Sequence, residues 1–253
     1  MSQILRGREW ARALQAALGP QESDPATWLA ANGDIIKRDS HSLVALLSVD
    51  GRACFLKYYG AKRASQGLLL RFGRSRGIAS YDNALALRRA GLDVPEPLAC
   101  LRTGPGLMLL TEAIDGAADL KTLWLAGQSN TRLDALMASA GETLARWHTR
   151  GFTHGDSKWS NFLFAGERVL LVDLEGVGRG SPASQGARRD LARFVVNAED
   201  MGLPAPRFQT FLDSYAGLLG VDAGAIPRRI KPRLEALRRR HRAKYGERGQ
   251  QLL

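Results

Sequence analysis

The segment FTHGDSKWSNFLF, residues 152–164, encloses ionisable and amide side chains between apolar residues that favour burial. Within it, Asp156, Lys158 and Asn161 follow one another closely, and a second carboxylate, Asp173, follows the apolar run of RVLLVDLEGVG. A carboxylate held between buried flanks is difficult to explain by structure alone, so Asp156 is predicted to be functional. Asp173 is predicted to emerge at the end of a short strand formed by Val169–Val172.

These four residue types suit phosphoryl transfer, in which negative charge must be neutralised and the attacking hydroxyl must be oriented. Asp156 is predicted either to accept the proton of that hydroxyl or to aim it. Lys158 is predicted to steady the γ-phosphate as a point charge. Asn161 and Asp173 offer the hard oxygen ligands that Mg²⁺ prefers. Glu175 fits a second metal or water contact and a salt bridge equally well.

A second candidate set is predicted to bind the nucleotide and lies in the first half of the chain. Lys57 is part of the strand pattern ACFLKYY, where an amine is costly unless it meets a charge, such as the α- and β-phosphates of ATP. Ser40 and Ser42 belong to a polar turn, Asp39–Ser42, that contains no glycine but offers hydroxyl groups to a phosphate. Glu112 completes this set.

The elements that must position these residues are strand-rich early and helix-rich late. Strands are predicted in DIIKR, SLVALLSV, ACFLKYY and GPGLMLLTEAI, and DVPEPLAC must be extended because of its prolines. Residues 20–25 are predicted to be a polar break. Apolar spacing predicts helices over 8–18, about 78–90, 131–148, 189–199, 207–219 and 227–244.

Composition is that of an ordinary soluble globular enzyme, with 45% hydrophobic and 24% charged residues in a chain of 253. No run of about 18 apolar residues predicts a membrane span, and the first residues lack the order of a secretory signal. Cys54 and Cys100 are predicted to be reduced thiols, which indicates a cytoplasmic protein without a disulfide framework or zinc site.

The net charge of +11 is partly concentrated in residues 62–76 and 228–248. Such density indicates an anionic partner, for which nucleic acid, an anionic membrane face and an acidic or phosphorylated substrate are the classes available. A solvated helix face explains the second segment equally well. No zinc knuckle, aromatic-studded sheet motif or helix-turn-helix pattern supports nucleic acid, which is therefore not expected as a partner.

The segments HGDSKWSN and VDLEG together resemble the catalytic loop and the metal-binding segment of the protein-kinase-like superfamily. The match reads His-x-Asp-x-Lys-x-x-Asn and then Asp-x-x-Gly, and Lys57 matches the strand lysine of that superfamily. The resemblance implies an α+β, bilobal protein-kinase-like fold that uses ATP and Mg²⁺. Residues 1–112 would form an N-lobe with an antiparallel sheet, and residues 113–253 a mainly helical C-lobe.

A narrower resemblance, over roughly residues 34–194, is to the bacterial lipopolysaccharide core kinases, the Kdo and heptose kinases and their InaA-type relatives. It is visible in GRSRGIASYDNALALRRAGLDVPEPLA, LMLLTEAIDGAADL and ARRDLARF. This resemblance implies ATP-dependent phosphorylation of a Kdo or heptose hydroxyl of the inner core. The acceptor is anionic and lies at the cytoplasmic face of the inner membrane, so the basic segments fit both this acceptor and peripheral contact with an anionic membrane.

The sequence departs from the family pattern at the helix that follows Lys57. Ser80 stands where these kinases carry a glutamate, and Asp82 cannot replace it because two residues rotate a helix by about 200°. The catalytic triplet also reads His-Gly-Asp, without the arginine of many kinases. Asp190 is predicted to be a helix N-cap, which in related folds braces the catalytic loop.

Other functions remain open at this point. A phosphotransferase of a soluble alcohol, of the aminoglycoside or choline type, is one alternative, although such enzymes usually carry more acidic substrate sites than this basic chain suggests. A small atypical protein kinase is another. A catalytically impaired kinase-like scaffold is a third, and Ser80 is the residue that favours it.

Overall fold

The computed structural model describes residues 2–40, 42–60, 75–104, 106–246 and 251–253. The chain divides into two compact units, one formed by Met1–Arg89 with Val94–Asp115 and the other by Ala90–Asp93 with Gly116–Leu253. Most of the basic segment 62–76 and the turn residue His41 lie outside the described residues.

The first unit contains an antiparallel sheet whose strands include every strand that the sequence predicts for this half. The strands are β1 (Gln3–Arg6), β2 (Asp34–Asp39), β3 (Ser42–Val49), β4 (Arg52–Tyr59), β5 (Pro97–Thr103) and β6 (Gly106–Glu112). Within the described ranges they are ordered β1-β5-β6-β4-β3-β2. The sequence analysis missed β1, which pairs with β5 at one edge.

Helices cover parts of both faces of this sheet. On one face, helix α1 (Arg8–Leu18) and helix α2 (Pro25–Asn32) share a core with the sheet, in which Leu14 and Leu18 of α1 meet Leu56 of β4. On the other face, helix α3 (Arg76–Arg89) packs through Ile78 and Tyr81. The bounds of α1 confirm the prediction, because Leu14 and Leu18 form its buried stripe.

Helix α2 was not predicted, although its first residues carry a start signal. Asp24 caps the helix by accepting a hydrogen bond from Thr27 N at 3.2 Å, and Pro25 occupies the first turn. The helix is only eight residues long, so its apolar residues do not repeat often enough to produce a clear stripe.

The second unit is mainly helical, as predicted. Its helices are α4 (Leu120–Leu125), α5 (Asn130–Thr149), α6 (Gln185–Asp200), α7 (Ala205–Leu219) and α8 (Ile226–Tyr245). Aromatic packing joins α6 to α7, where the rings of Phe194 and Phe211 stack with centroids 3.9 Å apart. Trp147 of α5 is buried beside the loop histidine, His154, with ring centroids 5.5 Å apart.

Helix α6 begins at Gln185 rather than at Arg189, because Ser184 is its N-cap and accepts a hydrogen bond from Ala187 N at 3.2 Å. The prediction that Asp190 is an N-cap is therefore wrong. Asp190 lies inside the helix and is fully buried.

Short strands carry the predicted chemical residues to neighbouring positions in this unit. They are β7 (Ala118–Asp119), β8 (Phe152–Thr153), β9 (Phe162–Ala165), β10 (Arg168–Leu171) and β11 (Gly178–Arg179). In the β9–β10 hairpin, Phe162 pairs with Leu171, and Val172 N donates to Asn161 O at 3.0 Å. Asn161 precedes β9 and Asp173 follows β10, so both lie at the open end of the hairpin.

Cys54 and Cys100 are buried thiols that form no disulfide. Burial raises the pKa of the Cys100 thiol, which keeps it in the neutral form. In the part of the chain that the structure describes, no helix combines the length and the apolar character needed to cross a membrane.

Candidate active site

The carboxylate of Asp156 lies between two cationic side chains. Lys158 Nζ is 3.0 Å from Oδ2, and Arg193 Nη2, from helix α6, is 3.0 Å from Oδ1. Oδ1 is buried and receives no hydrogen bond from the described residues, so Arg193 contributes its charge at this distance but no directed N–H bond. The side chains of Asp156, Lys158 and Arg193 are 29%, 35% and 38% exposed, so solutes have access to the group.

Helix α6 fixes the backbone that carries this carboxylate. Asp190 accepts hydrogen bonds from His154 N at 2.6 Å and from Gly155 N at 2.7 Å. Its carbonyl oxygen accepts a further bond from Ser157 Oγ at 2.6 Å. About two turns later on the same helix, Asn197 Oδ1 accepts a bond from Trp159 N at 3.0 Å. The loop is therefore braced by Asp190, although by its side chain within a helix rather than as an N-cap.

A buried histidine connects Asp190 to the next layer of the fold. His148 Nε2 lies 3.3 Å from Asp190 Oδ2, and its Nδ1 lies 2.7 Å from Tyr215 Oη on helix α7. Because a carboxylate only accepts hydrogen bonds, Nε2–H faces Asp190, and in the neutral ring Nδ1 accepts from the phenol. His148 belongs to the core, since its side chain is fully buried.

Gly155 occupies the position of the catalytic triplet at which many kinases carry an arginine, and its backbone leaves no room for a side chain. Its φ is +84°, a region that favours glycine, and an added Cβ would lie 2.4 Å from Gly176 O. The two glycines bring the Asp156 loop and the segment after Asp173 into backbone contact. Any side chain at position 155 would push these two segments apart.

His154 is a neutral brace within the loop. Its Nε2–H donates to Val172 O at 2.9 Å, and Nδ1 accepts from Asp156 N at 3.2 Å. Burial lowers the pKa of His154, because the imidazolium form would lose its hydration, while nearby Asp190 opposes this shift. These hydrogen bonds give His154 a structural role in the loop.

Asn161 and Asp173 meet next to Asp156. Asn161 Nδ2 donates to Asp156 O at 2.8 Å, which leaves Oδ1 as its ligand oxygen. Asp173 Oδ2 lies 4.0 Å from Lys158 Nζ. Asp173 has a φ of +66°, which is uncommon outside glycine and is typical of functional positions. The unit thus brings together the predicted set Asp156, Lys158, Asn161 and Asp173.

Lys57, by contrast, belongs to the first unit. On β4 it pairs with Val44 of β3 and Leu109 of β6, so these three side chains share one sheet face. Its ammonium group lies 5.0 Å from the centroid of the Tyr59 ring. Leu46 and Phe55 extend this face and are each 36% exposed, so an apolar surface lies open beside Lys57.

Two of the other residues predicted to bind nucleotide, Ser42 and Glu112, have local hydrogen-bond partners. Ser42 Oγ donates to Asp39 Oδ2 at 3.2 Å, and Ser40 is exposed in the turn between β2 and β3. Glu112 Oε1 accepts from Glu96 N at 2.7 Å, and Oε2 accepts from Arg52 Nη2 at 3.2 Å. The Glu112 carboxylate therefore participates in the internal hydrogen bonding of the first unit.

Ser80, at the position where related kinases carry a glutamate, and Asp82, two residues later, lie on different faces of helix α3. Ser80 is buried on α3 with 7% exposure, whereas Asp82 points outwards and receives two bonds from Arg6, at 2.8 and 3.0 Å. Asp82 is thus engaged on another face of the helix.

Sequence reasoning did not identify Arg193 and Asn197 as residues of the site. The segment ARRDLARF contains a signal that could have found the first, because Arg189 and Arg193 are four residues apart and share one helix face. Which loop that face meets depends on tertiary contacts, and no local pattern indicates it.

Comparison with known proteins places this chain in a family. A family model described as the lipopolysaccharide kinase (Kdo/WaaP) family matches residues 28–215. A 3-deoxy-D-manno-octulosonic acid kinase of Vibrio vulnificus is 26% identical over 186 residues, covering 69% of this chain and 75% of the relative. A kinase of the same name from Stenotrophomonas maltophilia is 34% identical over 129 residues, covering 48% of this chain and 49% of the relative.

Solved structures show the same fold at low identity. WaaP in complex with acyl carrier protein aligns with a TM-score of 0.58 and 19% identity, over 97% of this chain and 99% of that chain. An aminoglycoside phosphotransferase from Streptomyces rimosus aligns with a TM-score of 0.55 and 16% identity, over 87% and 98%. The fold is therefore the protein-kinase-like α+β fold, as the sequence predicted.

The family match, together with the kinase-like fold, defines a phosphotransferase that acts on a hydroxyl group. More narrowly, the chain belongs to the lipopolysaccharide kinase (Kdo/WaaP) family, because the family model covers most of its length. It is a sugar kinase of the lipopolysaccharide core. The comparisons do not favour the aminoglycoside-type, protein-kinase or scaffold alternatives.

Proposed function

We propose that this protein transfers the γ-phosphoryl group of ATP to a hydroxyl of 3-deoxy-D-manno-octulosonic acid in the inner core. The observation that carries the proposal is the Asp156 carboxylate, held on a loop braced by α6 and flanked by Lys158 at 3.0 Å. The names of the Vibrio and Stenotrophomonas relatives support this acceptor over heptose.

In the proposed step, the acceptor oxygen bonds to the γ-phosphorus while the bond from that phosphorus to the β,γ-bridging oxygen breaks. ADP leaves with that electron pair, and the hydroxyl proton passes to Asp156 or to solvent. Asp156 orients the hydroxyl in either case. Lys158 neutralises charge on the transferred group, which its position next to both Asp156 and Asp173 permits.

Asn161 and Asp173 are proposed to hold Mg²⁺. They fit the ion, because their ligand atoms are an amide oxygen and a carboxylate at the open end of one hairpin. A bound Mg²⁺ would neutralise the charge of the phosphates. The left-handed backbone of Asp173 supports a functional role for this carboxylate.

The nucleotide contacts of Lys57, Ser40, Ser42 and Glu112 remain predictions. Leu46 and Phe55 form an exposed apolar surface beside Lys57. Such a surface could bind the adenine ring of ATP next to the Lys57 ammonium group. The Glu112 carboxylate is already bonded within its unit, which favours a role in holding the strand end over direct contact with ATP.

Peripheral contact with an anionic inner membrane is proposed for helix α8, which would keep the protein at the cytoplasmic face. Its exposed residues include Arg228, Arg239 and Arg240. Arg238 does not belong to this surface, because it pairs with the buried carboxylate of Glu199.

Binding of the protein to vesicles rich in phosphatidylserine should fall with added salt and in R239Q/R240Q but persist in R239K/R240K. Binding that is equal in all three proteins would contradict the proposal.

The test of the activity uses the purified full chain, Mg·ATP and a deacylated core saccharide that ends in 3-deoxy-D-manno-octulosonic acid. Mass spectrometry should show one added phosphate with the wild-type protein. Asp156→Asn should lower kcat about 10²–10⁴-fold, because the hydroxyl loses its orienting carboxylate. Asp213→Asn, an exposed aspartate on α7, is the matched control and should retain activity. Full activity of Asp156→Asn, or no transfer by the wild-type protein with varied metals, would refute the proposal.

A further inference from the structure

Arg193 lies against Oδ1 of Asp156, one of the two oxygens to which an acceptor hydroxyl can donate. Oδ2 of Asp156 faces Lys158 at 3.0 Å, whereas Oδ1 is buried with Arg193 Nη2 at 3.0 Å and receives no hydrogen bond from described residues. An incoming hydroxyl that donates to Oδ1 must therefore displace the guanidinium. A guanidinium moved from its carboxylate is stabilised by another anion, and its planar donors match a second carboxylate.

A second guanidinium group of α6 also lies at the catalytic loop. Arg189, one turn earlier on α6, has its Nη2 3.4 Å from the point where a Cβ on Gly155 would lie. Lys158 already supplies a cation near the carboxylates of Asp156 and Asp173. The helix thus presents two additional guanidinium groups to the catalytic loop.

We propose that Arg193 binds the carboxylate of the acceptor sugar and makes the enzyme specific for an acidic sugar over a neutral one. The inference rests on the proposed function and deepens it. Before the acceptor binds, Arg193 pairs with Asp156. When an acidic sugar arrives, its carboxylate replaces Asp156 as the partner of Arg193, and Oδ1 becomes available to the sugar hydroxyl.

The contact also explains why an arginine suits this position. It joins one terminal nitrogen of Arg193 to one oxygen of Asp156, and 38% of the side chain is exposed. Once Arg193 has left Asp156, its planar N–H groups can form a paired contact with the sugar carboxylate. A lysine would provide the charge without this planar geometry.

The experiment compares two soluble acceptors, the methyl glycoside of 3-deoxy-D-manno-octulosonic acid and its neutral carboxamide. We expect the wild-type protein to prefer the acid by about 10–100-fold in kcat/KM, the factor expected for a hydrogen-bonded charge pair. Arg193→Gln should lose this preference by losing activity on the acid alone, with KM for ATP unchanged. Arg193→Lys should fall between the two proteins.

Arg188→Gln is the matched control, since Arg188 is on the same helix but lines a cavity with Tyr215 and Ile226. It should retain the full preference, and thermal unfolding should show that Arg193→Gln remains folded. Three results would overturn the inference: equal wild-type activity on both acceptors, an equal loss on both acceptors in Arg193→Gln, or a raised KM for ATP in place of the acceptor effect. No transfer by the wild-type protein to either acceptor would instead refute the proposed function, and this inference with it.

Discussion

The loop from His154 to Asn161 is hydrogen-bonded to the buried side of helix α6, whereas in the turn from Asp39 to Ser42 the residues Asp39 and Ser40 are exposed and Ser42 is half-buried. In the loop, Asp190 accepts from two successive backbone N–H groups and is itself fully buried. In the turn, Ser42 Oγ bonds to Asp39 only three residues away. Both segments were expected to serve phosphate chemistry on grounds of residue type.

The difference shows which of the two segments has a rigid backbone. A carboxylate that must meet one hydroxyl at hydrogen-bond distance gains from a backbone that cannot shift, and buried hydrogen bonds supply that rigidity. A hydroxyl that contacts a flexible triphosphate tolerates an exposed turn. Disruption of the first segment should therefore be costly to both stability and rate, and disruption of the second should affect neither strongly.

The largest effect is expected from Asp190→Ala. The substitution leaves the N–H groups of His154 and Gly155 buried without an acceptor, at about 1–3 kcal/mol each, and frees the Asp156 loop. We expect the free energy of unfolding, measured in urea, to fall by about 2–6 kcal/mol, and kcat to fall about 10²-fold. Asp213→Ala, at an exposed site on α7, should change stability by less than about 0.5 kcal/mol. Equal stability of the two variants would show that α6 does not brace the loop.

An intermediate effect is expected from pH, through His154. Burial lowers its pKa in the folded protein, so below the usual histidine value of about 6.5 the unfolded chain binds a proton that the folded chain does not. The contribution of the neutral His154 ring to the free energy of unfolding is thus fully present above pH 6.5. It is lost as the pH falls towards the lowered pKa. The wild-type free energy of unfolding should fall with acidification by up to about 1.4 kcal/mol per pH unit more steeply than that of His154→Gln. Urea titrations at several pH values between 7.5 and 5 measure both slopes, and parallel slopes would contradict this assignment.

The smallest effect is expected from the exposed turn. Ser40→Ala and Ser42→Ala should each raise KM for ATP by about 2–10-fold, and the double variant by more, since each hydroxyl is worth about 0.5–1.5 kcal/mol as a hydrogen-bond donor. The unfolding free energy should change little, because Ser40 is exposed and Ser42 is only half-buried. Ser48→Ala, an exposed serine on β3, is the control and should leave KM for ATP unchanged. An unaltered KM in the double variant would remove Ser40 and Ser42 from the nucleotide-binding set.

The sequence predicted the longer elements well for a specific reason. Helices α1, α5, α7 and α8 bury regular stripes of apolar residues, and such stripes are local patterns. Strand β1 and helix α2 were missed because they contain four and eight residues, too few for a period to be visible. Asp190 was assigned to the wrong position because Ser184, one turn and a half earlier, is the residue that caps α6.

By itself, the sequence determined the chemistry available to this protein. Asp156, Lys158, Asn161 and Asp173 lie within a short stretch of chain. Their order and spacing in a loop and a hairpin are therefore local properties that can be read from the sequence. Only the tertiary structure decided what surrounds that chemistry. Arg193 reaches Asp156, and Asp190 reaches the loop backbone, because α6 packs against a segment more than thirty residues earlier in the chain. Such contacts depend on how buried faces fit together, and no local pattern of residues encodes that fit.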